Sequence, residues 1–267
     1  MRHLKPGGEL IFITPRDFLK ATGAARLNTW LFDQGTITDY EDLGDARIFE
    51  GVVPNCAIWR FEKGNMSRRL TDRRRSVCAA GQIMFTHGIY SVPLRSVFSV
   101  KVGAVSGADD IFANAELGNA DFVCSRTAQT GELRRMIFDA PLPYLEQFKE
   151  RLLARRVTKF DEHNWWKWGR RHHVSEAPRI YVNQKTRQPQ PFFLNDCRNY
   201  DGSILALFPH RQDLDAGELR RLTSMLNEVD WHELGFVCDG RFLFAQRSLE
   251  NALLPEDFAA YEVEGLV

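Results

Sequence analysis

Behind the turn cluster Lys5-Pro6-Gly7-Gly8, residues Leu10 to Ile13 form a short continuous apolar run. That pattern predicts a strand buried on both faces of a largely parallel sheet. Thr14 and Pro15 then predict a helix start, with Thr14 as N-cap and Pro15 at the first helical position. Leu19, Leu27, Trp30 and Leu31 recur on one face of that helix, and Gly35 marks its end. Further strands are expected near Thr36 to Leu43 and from Val52 to Phe61. Strand, helix, strand, strand is a partial α/β unit, and its first strand needs neighbours on both sides. The opening therefore reads as the middle of a domain, and the chain is expected to be a truncation or one piece of a split protein.

Two later stretches carry helical periodicity. Tyr144 to Arg156 places Leu145, Phe148 and Leu152 on one face, and Gly217 to Glu228 does the same with Leu219, Leu222 and Leu226. Arg179 to Val182 has the alternation of a strand, with Ile180 and Val182 on one face. Between Gly64 and Arg95 the chain is rich in Arg, Ser, Thr and Gly without a regular pattern, which places a boundary there. The expected domains are 1–64 and 65–267. The sequence shows no internal repeat and no low-complexity segment.

Composition adds three constraints. The 267 residues are 44% hydrophobic and 12% aromatic, enough for real cores. No apolar run approaches the roughly 20 residues that cross a bilayer, and the N-terminus lacks a secretory signal's apolar core, so a soluble cytoplasmic protein without membrane contact is expected. Cys56, Cys78, Cys124, Cys197 and Cys238 are widely spaced, which predicts reduced, structural thiols and no metal site.

Charge changes the picture more. Lys and Arg balance Asp and Glu at 35 each, yet the stretch from Arg60 to Arg187 holds 23 basic against 13 acidic residues. It includes Arg73-Arg74-Arg75, Arg155-Arg156 and Arg170-Arg171, groups suited to phosphate contacts that release condensed counterions. A solvated charged face is the plain alternative for any one of these pairs. Within WWKWGRRHH and RIYVNQKTRQPQPFF, aromatic rings alternate with Lys167, Arg170, Arg171, Lys185 and Arg187. Rings stack on unpaired bases and arginines bind phosphates or guanine edges, although most of these rings also suit a hydrophobic core. An independent enzyme would have to draw on Asp161, Glu162, His163, His172 and His173. Adjacent histidines on a strand face opposite ways, which disfavours a metal shared by His172 and His173.

The order of these segments resembles a known family. LKPGGELIFITPRDFLKATGAARLNTWLFDQG followed by ARIFEGVVPNCAIWRFEK resembles the later half of the catalytic domain of adenine-specific (N6) DNA methyltransferases of restriction-modification systems. VKVGAVSGADDIF resembles the opening of the target-recognition domain that follows it in one subgroup, and WWKWGRRHH with APRIYVNQKTRQPQPFF resembles that domain's aromatic and basic middle. SMLNEVD, GRFLF and LLPEDF resemble its closing helix, strand and terminal proline segment. The resemblance implies a partial Rossmann-like methyltransferase sheet, α/β in class, over 1–64, and an α+β target-recognition domain over 65–267. It also implies double-stranded DNA as partner, S-adenosylmethionine as methyl donor in the complete enzyme, and an adenine rotated out of the duplex before methylation. Phe49 aligns with the family's adenine-packing aromatic residue, and Ser106, Lys167, Arg170, Arg171, Lys185 and Arg187 become DNA-contact candidates.

The departures are as informative. The family's glycine-rich donor loop has no counterpart, since Gly7-Gly8 precedes a late strand, and no Pro-Pro pair exists to form the family's catalytic Pro-Pro-Tyr motif. Ala140-Pro141-Leu142-Pro143-Tyr144 lies in the wrong place to replace it. The resemblance thus implies the C-terminal, DNA-recognising part of a methyltransferase, inactive alone and completed by an N-terminal methyltransferase polypeptide. A DNA-binding specificity module without chemistry is the alternative.

Overall fold

A computed structural model describes residues 3–44, 56–238 and 240–263. They form two compact units, one drawn from residues 1–97 and 229–267, the other from residues 98–228.

In the first unit, β1 (Glu9–Pro15) is joined through α1 (Ala25–Gln34) to β2 (Gly35–Asp42), and β3 (Cys56–Lys63) pairs antiparallel with both. With the order β1-β3-β2, β1 and β2 run in the same direction on either side of β3. The expected strand–helix–strand–strand order is present, and Gly35 does end the helix. The sheet partners differ from expectation: every observed pairing is antiparallel, and β1 is an edge strand rather than one buried on both faces. Ile11, Phe12 and Ile13 are 65%, 50% and 43% exposed, and among the described residues β1 has a strand on one side only. Thr14 and Pro15 remain in β1, where the Thr14 hydroxyl accepts a hydrogen bond from Trp59 Nε1 at 3.0 Å. The helix consequently starts ten residues later than its apparent cap, after 3-10 turns at Arg16–Leu19 and Thr22–Ala24. Leu31 of the helix and Leu19 of the first 3-10 turn are buried, whereas Leu27 and Trp30 face outward.

The stretch after Gly64 is ordered against this sheet and does not separate domains. The hairpin β4 (Arg75–Ala79) and β5 (Gln82–Thr86) sends Ile83 and Phe85 into one core with Leu19, Leu31, Ile37, Trp59 and Phe61. All five residues of β5 are buried, so the strand carries no alternation by which sequence periodicity can find it. The boundary therefore falls after Val97 and not near residue 64. The chain then leaves through β6 (Tyr90–Pro93) and the one-turn helix α2 (Leu94–Val97).

The second unit is mixed α and β. A four-stranded antiparallel sheet orders β7 (Phe98–Val102) beside Ile204–Pro209, then Ile180–Asn183, then Phe192–Phe193. The predicted helix at Gly217 to Glu228 is present at Ala216–Glu228, its N-terminus closed reciprocally by Asp215 and Glu218. The stretch from Tyr144 is instead a 3-10 segment, Pro143–Phe148, followed by the short helix Lys149–Leu153. A separate core gathers Phe112, Phe122, Met136, Leu145, Leu152, Trp165 and Trp168. The chain finally returns to the first unit, where Leu253–Pro255 pairs with β6.

Gly103 fixes how the end of β7 meets the turn at residue 201. A Cβ built there falls 1.9 Å from the Asp201 carbonyl oxygen, a backbone atom that cannot yield. Gly103→Ala should therefore lower the unfolding free energy by about 1–3 kcal/mol or more, through overpacking. Urea denaturation of the wild-type and variant chains measures the loss.

Candidate nucleic-acid interface

Much of the basic, aromatic middle is internal structure. Trp165 and Trp168 are both only 5% exposed, and Trp168 Nε1 donates to the Ile137 carbonyl at 2.8 Å. Trp166 is half-buried, with Lys167 Nζ 5.1 Å from its ring centre. The core reading of the tryptophans thus holds, and base stacking finds no fully exposed indole in this stretch.

Arg155 is also internal. Its guanidinium has no carboxylate partner among the described residues and is satisfied by the carbonyls of Leu152, Ser106, Trp165 and Lys167. The Phe160 ring lies 3.8 Å away. Burial pushes its pKa down to about 10, which still leaves it charged at neutral pH. Arg155→Met should cost about 3 kcal/mol, since carbonyls left without a donor cost about 1–3 kcal/mol each. Thermal unfolding of the variant tests this.

The structure sorts the DNA-contact candidates. Ser106 is fully buried; its hydroxyl donates to Asp109 and accepts from the Ala108 amide, so it shapes a turn and leaves the set of surface contacts. Arg171 is exposed but paired with Asp139. Lys167, Arg170, Lys185 and Arg187 are exposed and have no carboxylate partner among the described residues. A run of backbone and side-chain contacts links two of them. Arg170 and Val105 exchange backbone hydrogen bonds of 2.8 and 3.1 Å, a Cβ on Gly202 would touch Val105, and Gln184 beside Lys185 donates to the Gly202 carbonyl at 2.7 Å. Phe49 lies outside the described residues.

The residues of the rival enzymatic reading are spent on structure. Asp161 and Asn164 cap each other's turn, and Glu162 pairs with Lys149 at 2.6 Å. His172 is buried and His173 exposed, as adjacent residues on opposite faces should be. No group of three or more metal-ligating side chains occurs among the described residues. Nor is any helix among them long and apolar enough to cross a membrane.

His172 has its ring against Phe122, Phe138 and Tyr200. Burial, with smaller contributions from the charges of Arg179 and His173, pushes its pKa from 6.5 down to about 4. The unfolded chain therefore takes up a proton near pH 6.5 that the folded chain refuses until about pH 4. This contribution to stability is complete above about pH 6.5 and lost as pH falls towards 4. Urea midpoints at successive pH values should show that loss in the wild type and a smaller one in His172→Phe.

The first unit has its own cavity, of about 600 Å³, at the carboxyl ends of β1 and β2. Its wall includes the ion pairs Arg16–Asp42, at 2.7 Å, and Arg74–Asp72, at 2.6 Å. Lys20 also lines it, donating to the Leu234 carbonyl, with its pKa pushed down to about 7 chiefly by burial. Of these residues the sequence pattern marks only Arg74, as a phosphate candidate, and the structure commits it to Asp72.

Basic charge does not follow the units. The second unit holds 19 Lys and Arg against 17 Asp and Glu, so five arginines between Arg68 and Arg75 that contribute to the basic stretch belong to the first unit.

No protein-family model matches the sequence, and no curated protein matches it. Among solved structures, the chain is similar to one described as a Type IIL restriction-modification enzyme, MmeI, in complex with DNA. The TM-score is 0.58 at 10% sequence identity, over 92% of this chain and 39% of the other. The chain thus spans well under half the length of that enzyme and shares its mixed α and β fold over the matched part.

Proposed function

We propose that this chain is the C-terminal, DNA-recognising part of a site-specific adenine-N6 DNA methyltransferase of a restriction-modification system. The observation that carries the reading is the shared fold over 92% of the chain with a restriction-modification enzyme whose structure contains DNA. The order β1-β3-β2, with a helix linking two co-directional strands, supports placing residues 1–64 at the end of a larger α/β sheet. In this reading Lys167, Arg170, Lys185 and Arg187 hold the DNA backbone and set the register of the site.

In this reading S-adenosylmethionine is not held by the Gly7-Gly8 turn. Gly7 donates its amide to the Lys63 carbonyl at 2.7 Å and Gly8 to the Lys5 carbonyl at 2.9 Å, so this Gly-Gly turn has spent the amides a cofactor loop would offer. Donor binding and methyl transfer are assigned to an N-terminal methyltransferase polypeptide, in the same gene product or encoded upstream. The exposed apolar residues Ile11, Phe12 and Ile13 on edge strand β1 support such a partner, because a bare apolar edge favours pairing with another strand.

Two measurements test the reading. Affinity for duplex DNA should fall steeply between about 50 and 200 mM salt, and the combined substitution of Arg170, Lys185 and Arg187 by Gln should flatten that fall. An affinity indifferent to salt contradicts DNA binding. Calorimetry should show no micromolar binding of S-adenosylmethionine to this chain, while methylation of adenine should appear on mixing with the upstream polypeptide. DNA binding without methylation in the mixture favours the non-catalytic specificity module.

A further inference from the structure

We infer that the loop 67–75 of the first unit is a second site for nucleic-acid phosphates, separate from the contacts of the second unit and resting on the DNA-binding function proposed above.

The five arginines of this loop divide into two kinds. Arg68 lies 3.9 Å over the Phe32 ring and donates to the Gly35 carbonyl, and Arg74 is paired with Asp72 and donates to the Tyr40 carbonyl at 3.0 Å. Both are held inward. Arg69, Arg73 and Arg75 are exposed, and none has a carboxylate partner among the described residues. The acidic groups nearest the loop are already committed, Asp72 to Arg74 and Asp39 to Arg60 at 2.7 Å and to the Thr71 hydroxyl.

The three free arginines are held together at a cost. Arg69 and Arg75 form an antiparallel bridge, which sets both side chains on one face, and like charges directly opposite each other are destabilising. Between them the chain turns tightly, with Arg73 donating its amide to the Leu70 carbonyl at 3.1 Å and Leu70 donating to the Arg74 carbonyl at 2.9 Å. Arg73 closes this turn at φ 75°, in the left-handed region where glycine is the favoured residue. A long cation at a glycine position, beside two opposed cations, does nothing for the hairpin itself. Backbone strain of this kind concentrates at binding sites.

The loop is also rigid. Thr71 donates to the Thr38 carbonyl of β2 and Ser76 to the Arg68 carbonyl, each at 2.8 Å. Three guanidinium groups on a fixed turn, with no internal counterion, match the spaced anions of a nucleic-acid backbone.

Arg73→Gly separates binding from folding, because glycine is the better residue for the turn. We expect its melting temperature to equal or exceed that of the wild type, while the slope of log affinity for mixed-sequence duplex DNA against log salt becomes shallower by about 1. The variant R69Q/R73G/R75Q should lose about 2 to 3 from that slope. The control R220Q/R221Q, which removes two exposed arginines of the helix Ala216–Glu228, should leave it nearly unchanged. An unaltered slope in R69Q/R73G/R75Q, with a wild-type slope that still responds to loss of Arg170, Lys185 and Arg187, overturns the loop site and leaves the proposed function standing. An equal loss from R220Q/R221Q also overturns it, by showing a general field rather than a site. A wild-type chain that does not bind DNA overturns both.

Discussion

Two cations are buried in the second unit, Arg155 and Arg179, and the turns around Arg155 depend on it. The Arg155 guanidinium reaches four main-chain carbonyls, drawn from the end of its own helix, the turn at Ser106 and the turn from Trp165 to Lys167. Removing a charge from water is expensive, and here hydrogen bonds to dipoles offset it where most buried cations use a carboxylate. Those same carbonyls have no other donor in reach among these contacts, so the cation and the turns satisfy each other. Lys167, whose carbonyl accepts from Arg155, and Arg170 sit on the segment that this cation anchors, and both side chains are exposed.

Charge in this protein is meaningful only after its partners are counted. The sequence shows a basic stretch, but several of its cations are neutralised locally: Arg134 and Arg135 by Asp109, Asp201 and Asp121, Arg151 by Asp110, Arg171 by Asp139. Exposed ion pairs of this kind add little stability, yet they remove a cation from the set free to meet phosphate. What is left is divided between the units and includes two groups. Lys167, Arg170, Lys185 and Arg187 belong to the second unit, and Arg69, Arg73 and Arg75 to the first.

The apolar edge of the first unit is the complementary constraint. A strand with Ile11, Phe12 and Ile13 all exposed has the apolar pattern of one covered on both faces with a neighbour on each side, and among the described residues β1 has only β3. Most native edges are blunted by charge, proline or a bulge, whereas the centre of this one stays apolar. That physical asymmetry is one support for the proposed division of labour between recognition here and methyl transfer elsewhere.

By itself the sequence determined the local elements whose signals are local. The helix stop at Gly35, the strand near Thr36, the strand at Arg179 to Val182 and the helix ending at Glu228 follow from capping and periodicity, and each stands close to its expected place. It also determined that His172 and His173 face opposite ways. Tertiary structure alone decided which partners those elements take. Periodicity says that an apolar strand is to be buried but not by what, so β1 became an antiparallel edge and the hairpin Arg75–Thr86 joined the first unit's core in place of a boundary. Likewise an arginine reads the same in sequence whether it meets a carbonyl, a carboxylate or water. Only the fold made Arg155 a core residue, set Arg74 against Asp72 and left Arg73 free, because the contacts that decide those fates join residues far apart along the chain.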